Sequence, residues 1–343
     1  MSDRNEITIS HYMQMLDKIG IILEEGRKQA YSTVNNILVK TYWKIGGEIV
    51  EYEQEGKERA EYGSELLDKI SKDLRKKYGK GFSRRNVLDM RRFYMTYKKW
   101  QTVSAKLSWS HYTVLVSLSD DMAREFYENQ CILDKWSVRE LKRQVRTSLF
   151  QRIALSKDKK GVLELAQKGH VIETNKDIIK DPYVLEFLGL PENHRYSERK
   201  LEQKIIDNLQ MFLLEMGKGF AFVGRQYRIT LNNRHYYIDL VFYHRILKCF
   251  VLIDLKIGFV DHGDIGQMNM YLNYFKKEEN VGDDNEPVGI ILSAEKDDVL
   301  VEYALGSISN NLFVSKYQTY LPDEKALKAK LLEIIDSNTE GEE

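Results

Sequence analysis

Two aspartates and a lysine stand in one short apolar stretch, His235 to Lys256 (HYYIDLVFYHRILKCFVLIDLK). A strand sends successive side chains to opposite faces, so Asp254 and Lys256 share a face and Leu255 takes the other. The two apolar runs can pair as a hairpin across Tyr243 to Leu247. A register in which partner numbers sum to 493 sets Asp239 opposite Asp254. Two carboxylates and an ammonium then converge on one spot of a sheet, which is costly unless a metal or polar substrate compensates them. Metal-assisted hydrolysis of a phosphodiester uses such a constellation: it needs an activated water and a partner for charge developing on phosphoryl oxygens.

The elements around this stretch must position it. A helix is expected from Ser197 to Gly217, with an apolar stripe of Leu201, Ile205, Leu209, Phe212 and Leu213. Glu202 stands one residue off that stripe, able to reach along the sheet edge. Three strand-like runs follow, GFAFVGRQYRITL, HYYIDLVFYHR and LKCFVLIDLKIG, with Asn232-Asn233 as a turn. Then come a helix (DIGQMNMYLNYFKKE), a buried-type strand (PVGIILSAE), a helix (DDVLVEYALGSI) and a final strand (NLFVSKYQTYL). The order α-β-β-β-α-β suits a mixed sheet covered by helices.

The first part of the chain reads as all-helical. Residues 6 to about 55 form one long helix or two, with Gly46-Gly47 as a kink or a close helix contact. Further helices start near Ser64, at Ser83, near Ser110 and at Ser137. The helix ending at Gly79, the short KGFS turn and a helix opening with Arg84, Arg85 and Asn86 are helix-turn-helix-like. Between Ser71 and Leu107 stand twelve basic residues, Arg91 among them, and two acidic ones, a net +10. In a chain with 52 basic and 52 acidic residues, that concentration marks a candidate phosphate-binding surface. A solvated helix face is the alternative reading.

The expected organisation is therefore α+β: a helical, DNA-binding domain at 1–150, a linker at 151–180, an α/β domain at 181–335 and a flexible tail at 336–343. A hydrophobic content of 43% and a charged content of 30% are those of a globular protein. No apolar run approaches the roughly 20 residues that span a bilayer, so no membrane partner is expected. The start lacks a secretory pattern, and Cys131 and Cys249 are the only cysteines, which suits a reducing, cytoplasmic setting. His235, His244 and His262 match no zinc spacing and read as turn or surface residues. Tyr236, Tyr237, Phe242 and Tyr243 read as packing residues. Nothing resembles a serine or cysteine triad or a phosphate-cradling P-loop.

The runs ERKLEQKIIDNLQMFLLEMGKGFAFVGRQYRI, YYIDLVFYHRILKCFVLIDLK and GQMNMYLNYF together resemble the PD-(D/E)XK nuclease superfamily, and most closely its YhcG-like branch of prokaryotic proteins. YWKIGGEI, YGSELL, GFSRRNV and LSWSHY extend the resemblance to the helical half. The resemblance implies a restriction-endonuclease-like fold and a metal-dependent endonuclease. It makes Asp239, Asp254 and Glu202 metal ligands, Lys256 the residue that positions water and stabilises phosphate charge, and Gln267 a residue that holds the phosphate or the lysine. Many family members carry glutamate where this chain has Asp254, one methylene shorter. The implied cofactor is Mg²⁺, with Mn²⁺ able to substitute, and the implied partner is duplex or branched DNA, with RNA left open. Nucleases of this type often act as homodimers. Arg225 and Arg228, on the strand before the site, are candidates to grip the DNA backbone, with ordinary surface arginines as the alternative reading. The alternative function is a nuclease-fold DNA-binding or scaffold protein with little or no activity, for which Asp254 is the sequence support.

Overall fold

The computed structural model describes residues 2–55, 63–100, 103–104, 106–192, 195–297, 299, 301 and 311–336. The chain divides into two compact units, Met1–Arg124 and Glu125–Glu343.

The first unit is helical. α1 is one helix, Ser2–Glu55, and is followed by α2 (Gly63–Tyr78), α3 (Arg84–Thr96) and α4 (Trp109–Leu115). Ser83 caps α3 by accepting the Asn86 N–H at 3.2 Å. α4 begins at Trp109, near Ser110 as expected, with Ser108 as its N-cap. Gly46 marks a close helix contact: a Cβ there would collide with the Met90 carbonyl of α3. Ile49, Leu67 and Val87 form a small core joining α1, α2 and α3. Phe93 and Tyr112 (ring centroids 4.7 Å apart) and Tyr42 and Trp109 (4.8 Å) extend the packing with aromatic contacts.

A further helix, α5 (Asp121–Asp134), has no counterpart in the sequence reading and runs across the division. The second unit continues with α6 (Val138–Arg146), α7 (Leu149–Ala154) and α8 (Lys159–Lys168). Ser137 caps α6 as expected, and its capping box is completed by Glu140. The helix expected to run on from Ser137 breaks at Ser148, whose φ is 51°. The stretch expected as a linker carries α8, which buries Val162, Leu165 and Ala166 and is capped by Asp158.

Buried charge ties the helices that follow Arg124 to the sheet of the second unit. Glu215 accepts from Arg143 at 3.1 Å and Arg152 at 2.8 Å, and these arginines lie on α6 and α7. Burial opposes ionisation of Glu215, but Arg152, Lys180 and Arg143 outweigh it and hold its pKa low. Removing one partner of such a group leaves an uncompensated charge, at about 3–5 kcal/mol.

The sheet of this unit runs β1 (Tyr183–Val184), β6 (Leu312–Gln318), β5 (Val288–Ser293), β4 (Cys249–Lys256), β3 (Arg234–His244), β2 (Phe220–Leu231). Strands β1, β6, β5 and β4 are parallel neighbours, and β2, β3 and β4 pair antiparallel. Asn232 and Asn233, both at positive φ, turn β2 into β3. α9 (Glu198–Asp207) and α10 (Leu209–Met216), split at Asn208, cover one face together with Leu240, Phe242, Val251 and Ile253. α11 (His262–Tyr274) covers the other, over Val241, Leu252 and Ile291. A C-terminal helix, Glu324–Asp336, follows β6. The helix expected at DDVLVEYALGSI and the tail from Ser337 lie largely or wholly outside the described residues. Among the described residues no helix is long and apolar enough to cross a membrane.

Candidate active site

The hairpin register is the one the sequence suggested. Leu240 pairs with Ile253 and His244 with Cys249, which places Asp239 and Asp254 one step beyond the last pair. The turn occupies Arg245–Lys248, with Lys248 at φ 47°. At Asp239 the side chain replaces a backbone rung: its Oδ2 accepts the Leu255 N–H at 2.8 Å. On the other side, β2 breaks register between Phe222 and Gly224, and Gln226 adopts a left-handed φ of 46°. That conformation is costly for a residue with a Cβ and gathers at functional sites.

The Gln226 amide is what the irregular backbone delivers. Its Nε2 donates to Glu202 Oε2 at 2.8 Å and to Asp239 Oδ1 at 2.9 Å, joining α9 to β3. Glu202 and Asp254 are both buried, each 7% exposed. Burial, then Asp254, then Glu202 raise the Asp239 pKa to about 6, against the bonds from Leu255 and Gln226. Burial likewise raises Asp254, which Lys256 pulls down and Asp264 and Glu198 push up. Lys256 Nζ lies 3.1 Å from Asp254 Oδ2 and 2.9 Å from Asp264 Oδ1. Burial works against its charge, but these carboxylates outweigh it and raise its pKa.

Asp239, Asp254, Lys256 and Glu202 are thus brought to one corner. Gln267 is on α11 nearby but engages elsewhere: its Nε2 donates to Tyr271 Oη at 2.6 Å, and Tyr271 donates to the Tyr237 carbonyl at 3.0 Å. Two site residues escaped the sequence reading. Asp264 lies on the turn of α11 facing Lys256 and also closes the capping box of Asp261. Gln226 sits between Arg225 and Arg228 in a strand run, and nothing in that run announces a positive φ.

The donor atoms at this corner are carboxylate oxygens, which suit a hard divalent cation. Among the described residues no three His, Cys, Asp or Glu side chains converge to hold a metal ion. Mg²⁺ is usually held by one or two carboxylates with waters and phosphate oxygens. Buried Asp254 and half-buried Asp239, both with raised pKa values, fit that requirement, while Glu202 is joined to Asp239 by the Gln226 amide. The histidines make no such cluster: His235 contacts Thr230, His262 opens α11, and His244, fully buried rather than at the surface, spans the Lys218 carbonyl and the Leu247 N–H. Phe242 is core as expected, whereas Tyr237 is 49% exposed.

The residues assigned to nucleic acid are of two kinds. Arg225 and Arg228 are exposed on β2, Arg225 donating to Gln203 at 2.9 Å. Arg84 pairs with Asp68 at 2.7 Å at the surface, and the Arg85 side chain is 85% exposed. Asn86 and Arg91 serve the helical unit itself. Asn86 accepts from Trp109 Nε1 at 2.8 Å and donates to the Gly81 carbonyl, and Arg91 pairs with Glu53 of α1 at 2.7 Å.

Comparison with known proteins agrees with this architecture. Residues 18–152 match the DUF1016 N-terminal domain, and residues 176–332 match the YhcG PDDEXK nuclease domain. The chain is 38% identical to "Putative nuclease YhcG" of Escherichia coli (strain K12) over 364 aligned positions, covering 97% of this chain and 96% of that protein. Among solved structures, a repair endonuclease from Pyrococcus abyssi matches with 20% identity and a TM-score of 0.28, over 37% of this chain and 49% of that one. EndoMS in complex with double-stranded DNA matches with 17% identity and a TM-score of 0.26, over 37% and 46%. With two domain models placed end to end and near-complete coverage by a 38% identical relative, the chain belongs to the YhcG nuclease family of the PDDEXK superfamily.

Proposed function

We propose that the chain is a divalent-metal-dependent DNA endonuclease that hydrolyses phosphodiester bonds, with the helical unit engaging duplex or branched DNA. The observation that carries this reading is the meeting of buried Asp254 and half-buried Asp239 with Lys256 at the open end of the β3–β4 ladder. Asp239 and Asp254 would hold Mg²⁺, with Mn²⁺ able to replace it, and Glu202, tied to Asp239 through the Gln226 amide, would add negative potential. When bound there, such an ion would supply a lowered pKa to a coordinated water and charge stabilisation to the phosphoryl oxygens.

The chain's own residues do the rest. Lys256, fixed between Asp254 and Asp264, stays charged and offers an ammonium to the water and the developing phosphorane charge. Gln267 donates to Tyr271 on α11 and so helps set the α11 face toward the site. Arg225 and Arg228 flank Gln226 and supply backbone contacts to the strand being cut, and Arg84 and Arg85 supply them on the helical unit. The proposed setting is the cytoplasm, where the buried thiols of Cys131 and Cys249 stay reduced.

A panel of linear, nicked and branched DNA and of RNA, incubated with Mg²⁺, Mn²⁺ or chelator, tests the reading. Divalent-dependent cleavage that Asp254→Ala abolishes supports it. DNA binding without cleavage, together with no heat on Mg²⁺ or Mn²⁺ titration, would replace it with the non-catalytic DNA-binding reading.

A further inference from the structure

Past its last partner on β4, the β2–β3 hairpin runs on as a two-stranded arm. Pairing of β3 with β4 stops at Leu240, whereas β2 and β3 stay paired out to Leu231 and Arg234. One face of the arm is covered. Ile229 and Ile238 are fully buried in the core under α11, and Tyr271 of α11 donates to the Tyr237 carbonyl at 3.0 Å. Alternation along β3 sets Tyr237 on the same face as Asp239, opposite Ile238. That face carries two register pairs, Arg228 with Tyr237 and Thr230 with His235, and all four residues are exposed.

The arm has the composition of a surface for a nucleic-acid strand. From Gly219 to Ile238 there are three arginines and no acid, in a chain that carries 52 residues of each sign, so the arm attracts phosphate. Thr230 and His235 satisfy each other at 2.9 Å. Among the described residues Arg228 has no ion pair and the Tyr237 side chain no hydrogen bond, so both are available to a ligand. Opposed residues of an antiparallel pair hold their Cβ atoms about 5 Å apart, which puts guanidinium and ring at one spot. Tyr237 stands two residues from Asp239, about 7 Å along the strand and roughly two nucleotides at 3.4 Å each. An intact duplex cannot use the ring, because its stacked bases offer only edges and phosphates. A base outside the duplex offers its face, and one such stack changes affinity by about fivefold or more.

We propose that Tyr237, with Arg228 beside it, is a platform that stacks one unpaired DNA base within about two nucleotides of the phosphate cut at Asp239 and Asp254. The substrate class follows: DNA with an unpaired strand at the cut, such as a fork or flap, in preference to intact duplex. This rests on the nuclease reading above and narrows its substrate. In the test, the full chain is mixed with forked DNA carrying 5-iodouracil at the first, second or third unpaired position and irradiated, in chelator so that no cleavage intervenes. The cross-linked peptide should carry Tyr237. Tyr237→Phe should keep the cross-link and the affinity, because the ring remains. Tyr237→Leu should lose the cross-link and raise the Kd for forked DNA about fivefold or more, with the Kd for blunt duplex as it was. Arg228→Ala should weaken both DNAs alike, as loss of a phosphate contact does. A cross-link confined to other residues, or equal wild-type affinity for fork and blunt duplex, overturns the platform while leaving the nuclease reading in place. So does a Tyr237→Phe variant as impaired as Tyr237→Leu, which would make the hydroxyl a phosphate contact. Binding of no DNA at all, or of RNA alone, overturns the DNA endonuclease reading and the platform together.

Discussion

Asp239 accepts the Leu255 N–H at 2.8 Å, so a catalytic candidate is also a rung of the β3–β4 pairing. The two roles separate by substitution. Asp239→Asn keeps an oxygen for that N–H, gives up the bond accepted from Gln226, and removes a charge that burial and Asp254 already disfavour. It should fold with stability within about 1 kcal/mol of wild type and bind neither Mg²⁺ nor Mn²⁺ by calorimetry. Asp239→Ala should lose the metal and also about 1–3 kcal/mol, because the buried N–H is left unpaired. Equal metal affinity in Asp239→Asn and wild type would remove Asp239 from the ligand set.

Lys256 is held by Asp254 and Asp264 together, and each contact makes its own prediction. Lys256→Ala should lower cleavage at saturating metal by about 10²-fold or more, the scale of losing one charge-stabilising donor, while metal binding persists. Asp264→Asn leaves one anchor and should give a smaller loss in kcat with KM unchanged. If Asp264→Asn matched wild type in single-turnover rate, the carboxylate would serve only the α11 cap.

Much of this was legible in the sequence for a physical reason. Strand alternation and a β-branched, aromatic composition fix which residues of Cys249–Lys256 share a face, and the hairpin register follows from burying both apolar runs. The 3.6-residue stripe placed Glu202 beside the buried face of its helix, and the family resemblance singled it out as the first-helix acid. What stayed hidden depends on contacts distant in sequence. Gln226 gains its role from a bulged strand, Asp264 from the approach of α11 to β4, and α8 from only three buried residues in a polar stretch. The sequence treated the basic helix-turn-helix-like residues alike, whereas their partners sort them.

That sorting is testable in the helical unit. Arg84→Ala with Arg85→Ala should weaken DNA binding and reduce the slope of log affinity against log salt by about one for each phosphate no longer neutralised. Stability should hold, since both side chains are at the surface. Asn86→Ala should instead melt earlier, by about 1–3 kcal/mol, because Trp109 Nε1 loses its acceptor. An unchanged salt slope in the arginine variant would remove this turn from the DNA interface.

His170 should make stability depend on pH. Burial, then Lys180 and Lys157, lower its pKa to about 4, against the opposing pull of Asp177 and Asp134. The unfolded chain, with an ordinary histidine near 6.5, binds more protons than the native state between those values. The contribution is therefore fully present above about pH 6.5 and is lost as pH falls toward 4. The stability difference between wild type and His170→Gln should grow with pH across that window, by about 1 kcal/mol per unit. Urea titrations at pH 4.5, 5.5, 6.5 and 7.5 measure it, and a flat difference would mean that His170 is solvated in the native state.

Gln226 offers the sharpest separation of backbone from side chain. Its φ of 46° is strained for any residue with a Cβ, and its amide holds Glu202 and Asp239 at 2.8 and 2.9 Å. Gln226→Gly relieves the strain and deletes the amide; Gln226→Ala deletes the amide alone. If the residue is present to position the acids, the glycine variant should be at least as stable as the alanine variant, by about 0.5–1 kcal/mol. Both should bind Mn²⁺ more weakly than wild type, because Glu202 and Asp239 then repel without a shared donor. A stability loss with unaltered Mn²⁺ affinity would reduce Gln226 to a structural clasp between α9 and β3. Weaker Mn²⁺ binding in a glycine variant that melts no earlier than wild type would show that the strained backbone exists to place the amide.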